Sequence, residues 1–162
     1  MKIDLKTLPN ANFGFIEPML AKAVDSLPTK GNWLYEVKLD GYRAMAVKKC
    51  GQVTLFSRRG NALNRRFPTL PDAFDFLPED SILDGEIVVL DNTGKPSFSA
   101  LQNSLRRANA LFFYAFDLLA YRGKDLRRLP LSIRREVLEE HVLKNMNEQV
   151  RLSTALPLHQ TG

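Results

Sequence analysis

Three neighbouring segments near the start of the chain mix apolar and polar residues in the manner typical of β-strands. They are WLYEVK (33–38), YRAMAVKK (42–49) and QVTLFS (52–57). Their length and composition predict three strands. Only Cys50 and Gly51 separate the second segment from the third, which predicts a tight hairpin turn between them.

Three later segments also have the pattern of strands. SILDGEIVVLD (81–91) is rich in β-branched residues and runs into the turn cluster DNTGKP, so it predicts a strand that ends there. ALFFYAFDLLAY (110–121) is apolar on both faces, which is typical of a strand in the middle of a sheet. The short segment QVRLS (149–153) predicts one more strand.

Helical spacing of apolar residues occurs between these strands. It predicts a helix over 97–107, a short helix within 67–77 and a single helical turn at 18–24. Hairpins mixed with helices indicate an α+β fold with antiparallel-rich sheets rather than a doubly wound sheet. At 162 residues the chain is long enough for one domain, and we expect residues 1–30 to form an arm that wraps a core of 31–162.

The clearest helical pattern is SIRREVLEEHVLKN (132–145), for which Ser132 is the expected N-cap. His141 falls on its apolar stripe, so we expect this histidine to cover the edge of the core rather than to act as a ligand. The arginine pairs of the chain, among them Arg134–Arg135, are expected to lie mostly on the solvated surface.

Composition narrows the classes of function. The formal net charge is +5, which favours a polyanionic partner, since lysine and arginine displace counterions from phosphates. One cysteine excludes an internal disulfide, and one cysteine with two histidines is too few for a structural zinc site. No apolar run is long enough to span a membrane and the N-terminus lacks a signal-peptide pattern, so we expect a cytoplasmic protein.

Ionisable residues occupy strand positions where the chain is otherwise apolar. Alternation along a strand puts Glu36 and Lys38 on one face, and it puts Asp84 and Glu86 together in an apolar row. Buried carboxylates need a cation, a metal or a wet pocket, because an unpaired buried charge is costly. An aromatic row lies on the buried strand: Phe112, Tyr114 and Phe116. The pattern predicts a pocket with a lysine, carboxylates and an aromatic wall.

The order of four motifs carries a resemblance to a known family. EVKLDGYR, LFSRRG, LDGEIVVLD and FFYAFDLL occur in this order along the chain. The set resembles the KxDGxR, SR, DGE and FD motifs of the ATP-dependent DNA ligases, in the covalent nucleotidyltransferase superfamily. The flanking PML, WLYE and FSALQNSLRR make it most similar to the ligase module of bacterial LigD-type end-joining proteins, over nearly the whole chain from about residue 17.

The resemblance implies a nucleotidyltransferase fold and a lysine nucleophile. Lys38 would attack the α-phosphate of ATP and hold AMP as a phosphoramidate, with Mg²⁺ or Mn²⁺ as the metal. The AMP would pass to the 5′-phosphate of a DNA nick, and the 3′-hydroxyl would displace it to seal the strand. Such chemistry belongs to DNA repair by non-homologous end joining.

The resemblance also implies roles for the residues around Lys38. Glu36 would help to read the adenine edge, with Val37 beside it in the nucleotide site. Arg43 would contact the ribose region, and Arg58 would lie at the nucleotide or the nick phosphate. The remaining roles fall on Glu86, which would hold a ribose hydroxyl or the metal, and on Phe116, which would stack on adenine. Asp40 and Gly41 would make the turn that presents Lys38. The resemblance does not settle the role of Asp84, which could be purely geometric within its strand.

The ligases that the chain resembles continue beyond the FD strand with an EG strand, a KxK strand and an OB-fold domain. The sequence ends at RLSTALPLHQTG. We therefore expect the N-terminal part of an adenylation domain, without the OB-fold, whose self-adenylation alone is weakened because much of its electrostatic stabilisation is missing.

The expected partners are nicked double-stranded DNA at the nucleoid, Ku, and a complementing C-terminal ligase half. Two alternatives stay open at this point: a non-catalytic DNA-binding or scaffold fragment, and an RNA ligase or capping-type nucleotidyltransferase.

Overall fold

The structure, a computed structural model, describes residues 4–28, 30–91, 93–97, 99, 101, 111–154 and 156. Within this part of the chain, six strands form one mixed sheet. The strands are β1 (Tyr42–Lys49), β2 (Gln52–Ser57), β3 (Ser81–Val89), β4 (Leu111–Tyr121), β5 (Lys124–Asp125) and β6 (Val150–Leu152). Their order is β2-β1-β3-β4-β5, and β6 pairs with β4 in parallel while every other pair is antiparallel.

The helical segments are short. α1 spans Leu131–Val137 and continues through a π-helical stretch, Leu138–Val142, into a 3₁₀ turn, Leu143–Asn145. Further 3₁₀ turns lie at Leu5–Thr7 and Pro71–Phe74. No helix in the described part of the chain is long and apolar enough to cross a membrane.

The β1–β2 hairpin was predicted from the sequence with its bounds. Cys50 and Gly51 both have positive φ, 51° and 73°, which is the geometry of a two-residue hairpin turn whose twist matches the strands. The predicted position of β4 is also confirmed, since it pairs with β3 on one side and with β5 and β6 on the other. The predicted α+β class with antiparallel-rich sheets agrees with this topology.

Most of the core lies on one face of the sheet. The largest fully buried side chains there include Leu55, Ile87, Phe113 and Leu118, and the helical segments after residue 66 cover them. Among the described residues, the other face is covered mainly at the end where β1 and β4 finish. There Met45, Val47, Ile82, Leu119 and Ala120 form a second cluster, against which Ala11, Phe13 and Ile16 pack.

Residues 4–16 lie against this part of the sheet. Their backbone is fixed by Ala11 N–H donating to Gly123 O at 2.8 Å and by Asp125 N–H donating to Pro9 O at 2.9 Å. The end of this face that carries Arg43 and Glu86 borders an open cleft.

Four sequence predictions were wrong. Residues 33–38 form no strand; within this segment Glu36 makes an isolated bridge. Residues 18–24 form no helical turn. Ser132 lies inside α1, whose N-cap is Pro130. His141 is exposed rather than at the core edge, since the π-helical stretch shifts the helical phase around it. The helix predicted over 97–107 falls almost entirely outside the described residues.

Candidate active site

The open end of the sheet face carries residues from three of the sequence motifs. Arg43 on β1 lies directly opposite Glu86 on β3, which lies opposite Tyr114 on β4. Directly paired residues point to the same face of a sheet, so these side chains form one row across it. Arg151 on β6 extends the row, because it pairs with Tyr114 and its guanidinium lies 4.1 Å from the centroid of the Phe112 ring.

Arg43 is held by a bidentate ion pair with Asp84. Its Nε donates to Oδ1 at 3.0 Å and its Nη2 donates to Oδ2 at 2.7 Å. Arg43 is thus the charged partner expected from the sequence for the buried Asp84 carboxylate. The hydrogen bond to Asp84 raises the pKa of Arg43. Burial nevertheless raises the pKa of the Asp84 carboxyl, and the hydrogen bonds from Arg43 offset this only in part.

Phe116 packs against this ion pair. The guanidinium carbon of Arg43 lies 4.9 Å from the centroid of the Phe116 ring, within cation–π distance. The register between β3 and β4 shifts here: Asp84 pairs with Asp117 and Gly85 with Ala115, so Phe116 is the extra residue of a β-bulge. Bulges re-aim side chains next to functional sites, and this one turns the ring towards Arg43.

Glu86 lies on the same face beside an open cleft of about 540 Å³. Burial raises the pKa of Glu86 from 4.5 to about 7, while the charge of Arg43 and the Gly41 N–H act in the opposite direction. The cleft is within the size range of small-molecule sites. Its described lining consists of Gly41, Tyr42, Arg43, Ser57, Arg58, Arg59 and Glu86. The structure thus brings Arg43, Arg58 and Glu86 together at one cleft.

Lys38 and Val37 lie in the extended segment before β1, and both are exposed. Neither is among the described residues that line the cleft, and Lys38 has no hydrogen bond or ion pair to any described residue. The segment enters β1 through Gly41, where a Cβ atom would lie 2.2 Å from Ile87 O. Only glycine fits this close approach to β3, at the point where the chain bends into β1. The presentation of Lys38 by an Asp40–Gly41 turn stays a prediction.

Glu36 is paired with an arginine that the sequence did not suggest. Its Oε1 accepts a hydrogen bond from Arg135 Nη1 at 2.6 Å. Arg135 and its neighbour Arg134 are buried, with 7% and 9% of their surfaces exposed, so the prediction that this pair is solvated was wrong. Arg134 pairs with Asp117 through two bonds of 2.7 Å. An aspartate inside the apolar β4 segment was the feature that could have predicted a buried cation.

A metal site is not preformed in the described part of the chain. No group of three or more His, Cys, Asp and Glu side chains is close enough there to hold an ion. Asp84 uses both carboxylate oxygens on Arg43, which leaves Glu86 as the carboxylate at the cleft. A single carboxylate suits Mg²⁺ that is bound mainly through substrate phosphates.

Comparisons with known proteins agree on one family. A family model described as the ATP dependent DNA ligase domain matches residues 18–161. The multifunctional non-homologous end joining protein LigD of Pseudomonas aeruginosa is 41% identical over 145 residues, which is 88% of this chain and 17% of that protein. DNA ligase C1 of Mycolicibacterium smegmatis is 40% identical over 143 residues, 78% of this chain and 41% of that protein.

Solved structures give the same result. A mycobacterial DNA ligase D complexed with ATP and MES superposes with a TM-score of 0.66 at 36% identity, over 77% of this chain and 40% of that one. The ligase domain of LigD from M. tuberculosis gives a TM-score of 0.65 at 34% identity, over 77% and 41%. The chain therefore spans less than half the length of each of these relatives. The matched motifs, the fold and these similarities show that the chain belongs to the ATP-dependent DNA ligase family.

Proposed function

We propose that this chain carries out the nucleotidyl transfer of a DNA ligase, with Lys38 as the nucleophile. The observation that supports it most is the convergence of three motifs at one cleft: Arg43 from KxDGxR, Arg58 from SR and Glu86 from DGE. Phe116 from the FD motif packs on Arg43. Family membership supplies the reaction class, and the basic lining of the cleft suits a nucleoside triphosphate.

In the first step the neutral amine of Lys38 forms a bond to the α-phosphorus of ATP. The bond to the bridging oxygen breaks and pyrophosphate leaves, so AMP stays on the lysine as a phosphoramidate. An oxygen of a 5′-phosphate at a DNA nick then attacks the same phosphorus and releases the lysine, which regains its proton. The 3′-hydroxyl finally attacks the activated 5′-phosphate and AMP departs.

The cleft residues would act on the charge that develops in these steps. Arg43 and Arg58 would place positive charge beside the phosphoryl oxygens before reaction, which is usually the largest catalytic contribution. Glu86 would bind a ribose hydroxyl or contribute to the Mg²⁺ or Mn²⁺ that neutralises the phosphates. Phe116 would stack on adenine, and Glu36 and Val37 would flank the base.

Lys38 is exposed and lies three residues before Gly41, which lines the cleft. Its amine would reach the α-phosphate from this side of the cleft.

The proposed partners follow from the same reaction. Nicked duplex DNA is the proposed substrate, in keeping with the net charge of +5. Ku, the cytoplasmic location and nucleoid association stay predictions. A complementing C-terminal ligase half is supported by apolar side chains that stand exposed before β1, Leu27, Trp33, Leu34 and Val37, since exposed apolar surface marks contact sites. We propose one domain, with an arm over 1–30, as the adenylation part of such a ligase.

The test is transfer of label from α-labelled ATP to the protein in the presence of Mg²⁺ or Mn²⁺. We expect an acid-labile label on the wild type, none on Lys38→Ala and full label on Lys144→Ala, an exposed lysine away from the cleft. GTP should not replace ATP. Label that persists in Lys38→Ala would refute the nucleophile. No label on folded protein, with or without a separately expressed C-terminal ligase half, would refute the function.

A further inference from the structure

The segment that carries Lys38, residues 30–41, is attached to the rest of the fold at few places among the described residues. It has no strand ladder, and its backbone contact from outside is Leu156 N–H donating to Tyr35 O at 2.7 Å, among the described residues. The bond between Trp33 Nε1 and Lys30 O at 2.8 Å is local. Two carboxylates attach it: Glu36 through its 2.6 Å bond to Arg135, and Glu86, which accepts from the Gly41 N–H at the end next to β1.

Arg135 is itself fixed at two further points. Its Nη1 also donates to Phe116 O at 3.2 Å, and its Nη2 donates to Ser153 O at 2.6 Å. Ser153 N–H donates to Ala115 O at 2.8 Å, so this residue continues the pairing of β6 with β4. The side chain of Arg135 is 9% exposed, and its guanidinium is therefore a rigid link between α1, the bulge of β4 and the end of β6.

We infer that Arg135 is a positioning residue for Lys38. Glu36 precedes Lys38 by two residues, so in extended chain the fixed point lies roughly 7 Å from the Cα atom of the nucleophile. The same guanidinium binds the carbonyl of Phe116, so it sets the distance between the lysine segment and the residue whose ring packs on Arg43. This inference rests on the proposed role of Lys38, and it gives Glu36 a structural task in addition to the adenine contact implied by the resemblance.

The adjacent Arg134 provides a matched control. It lies on the same helix, is buried to a similar extent, and forms a bidentate ion pair with Asp117 together with a 2.6 Å bond to Leu129 O. All of its described partners lie in β4 or just before α1, and none lies in the Lys38 segment. Loss of this pair should cost stability without releasing the lysine.

The experiment compares Arg135→Lys with Arg134→Lys. Both variants keep the positive charge but lose the planar fork that makes several hydrogen bonds at once. In Arg135→Lys we expect amide exchange over residues 30–41 to rise by about tenfold, the effect of losing a charged hydrogen bond, with no such rise in Arg134→Lys. Equal exchange in both variants would overturn the inference, whether or not the protein takes label.

Self-adenylation supplies the second readout. A misplaced nucleophile should lower the rate at saturating ATP by about 10- to 100-fold in Arg135→Lys, with little change in the KM for ATP. Glu36→Gln should have the same effect, and the double variant should be no worse than either single one, because both changes break one link. If the rate losses of the two single variants multiply in the double variant, and the KM for ATP rises, Glu36 acts on the nucleotide independently of Arg135.

The two readouts separate the two proposals. If wild-type protein takes no label, the proposed function fails while amide exchange still tests the link. If Arg135→Lys does not fold, Glu36→Gln alters the same bond from its half-exposed side, where 28% of the glutamate side chain is accessible. In that case the exchange of residues 30–41 in Glu36→Gln decides the inference.

Discussion

Replacement of Glu86 by glutamine should remove a loss of stability that the protein suffers as the pH rises. Burial raises the pKa of Glu86 from 4.5 to about 7 in the folded state. Below about pH 4.5 the carboxyl is protonated in both the folded and the unfolded chain. Between about 4.5 and 7 the folded chain binds more protons than the unfolded chain, so the free energy of unfolding falls as the pH rises through this window.

The size of the effect follows from the raised pKa and from the position of the side chain. A rise in pKa from 4.5 to about 7 corresponds to about 3 kcal/mol of unfolding free energy, at about 1.36 kcal/mol for each pKa unit. Glu86 is only half-buried and lines an open cleft, so solvent screens part of the penalty and about 1–2 kcal/mol should be measurable. Glutamine is neutral at every pH and should escape this loss.

The assay is urea denaturation followed by circular dichroism at several pH values from about 5 to 8, at one ionic strength. The stability of Glu86→Gln relative to the wild type should increase by about 1–2 kcal/mol across this range. Glu148→Gln, at an exposed position, should keep a constant difference from the wild type. A constant difference for Glu86→Gln as well would show that Glu86 is ionised throughout and that the cleft is more hydrated than its burial implies.

Three further predictions concern the same region and its proposed substrate. Gly41→Ala should lower the melting temperature by about 5 °C or more, because the new Cβ atom would lie 2.2 Å from Ile87 O. Gly14→Ala, whose Cβ atom would meet open space, should melt like the wild type. Equal melting temperatures for the two variants would refute the close approach. Asp84→Asn should lower the free energy of unfolding, measured by urea denaturation, by about 2 kcal/mol, because Arg43 loses a bidentate partner but keeps one acceptor and some solvent. A change below about 0.5 kcal/mol would contradict a stabilising pair. Binding of nicked duplex DNA, measured by fluorescence anisotropy, should weaken about tenfold or more between about 50 and about 200 mM salt, and salt-independent binding would argue against phosphate contacts.

The strands were predictable where local pattern and turn chemistry agree. β1 and β2 have the bounds read from the sequence because the Cys50–Gly51 turn fixes how they pair. Residues 33–38 have the composition of a strand but form none, since strand formation depends on a partner that the local sequence does not specify. His141 was misplaced for a different reason: a period of 3.6 residues was assumed where the helix widens into a π-helical stretch.

The grouping of Arg43, Arg58 and Glu86 at one cleft was predictable from the sequence, whereas the ion pairs around them were not. Alternation placed Asp84 and Glu86 on one face and showed that they needed a partner, and the register confirms Arg43 beside both. The arginine that binds Glu36 comes from a helix about 100 positions later in the chain. Contacts of this range depend on the folded topology, and a pair of arginines on a short helix is ordinarily solvated. Only the unpaired acid in β4 indicated otherwise.

Ion pairs that are largely shielded from solvent link the strands, α1 and the Lys38 segment, and they matter more for position than for stability. The pairs are Arg43–Asp84, Arg134–Asp117 and Arg135–Glu36. Desolvation cancels much of the attraction in such pairs, so apolar residues of the same volume would stabilise the fold as well or better. Apolar contacts, however, do not fix direction, whereas a guanidinium fork does. Arg43 holds β1 to β3 beside the cleft, and Arg135 holds the Lys38 segment to β4. A substitution that keeps stability but loses either fork should therefore keep the fold and lose the alignment of Lys38, the proposed nucleophile, with the cleft.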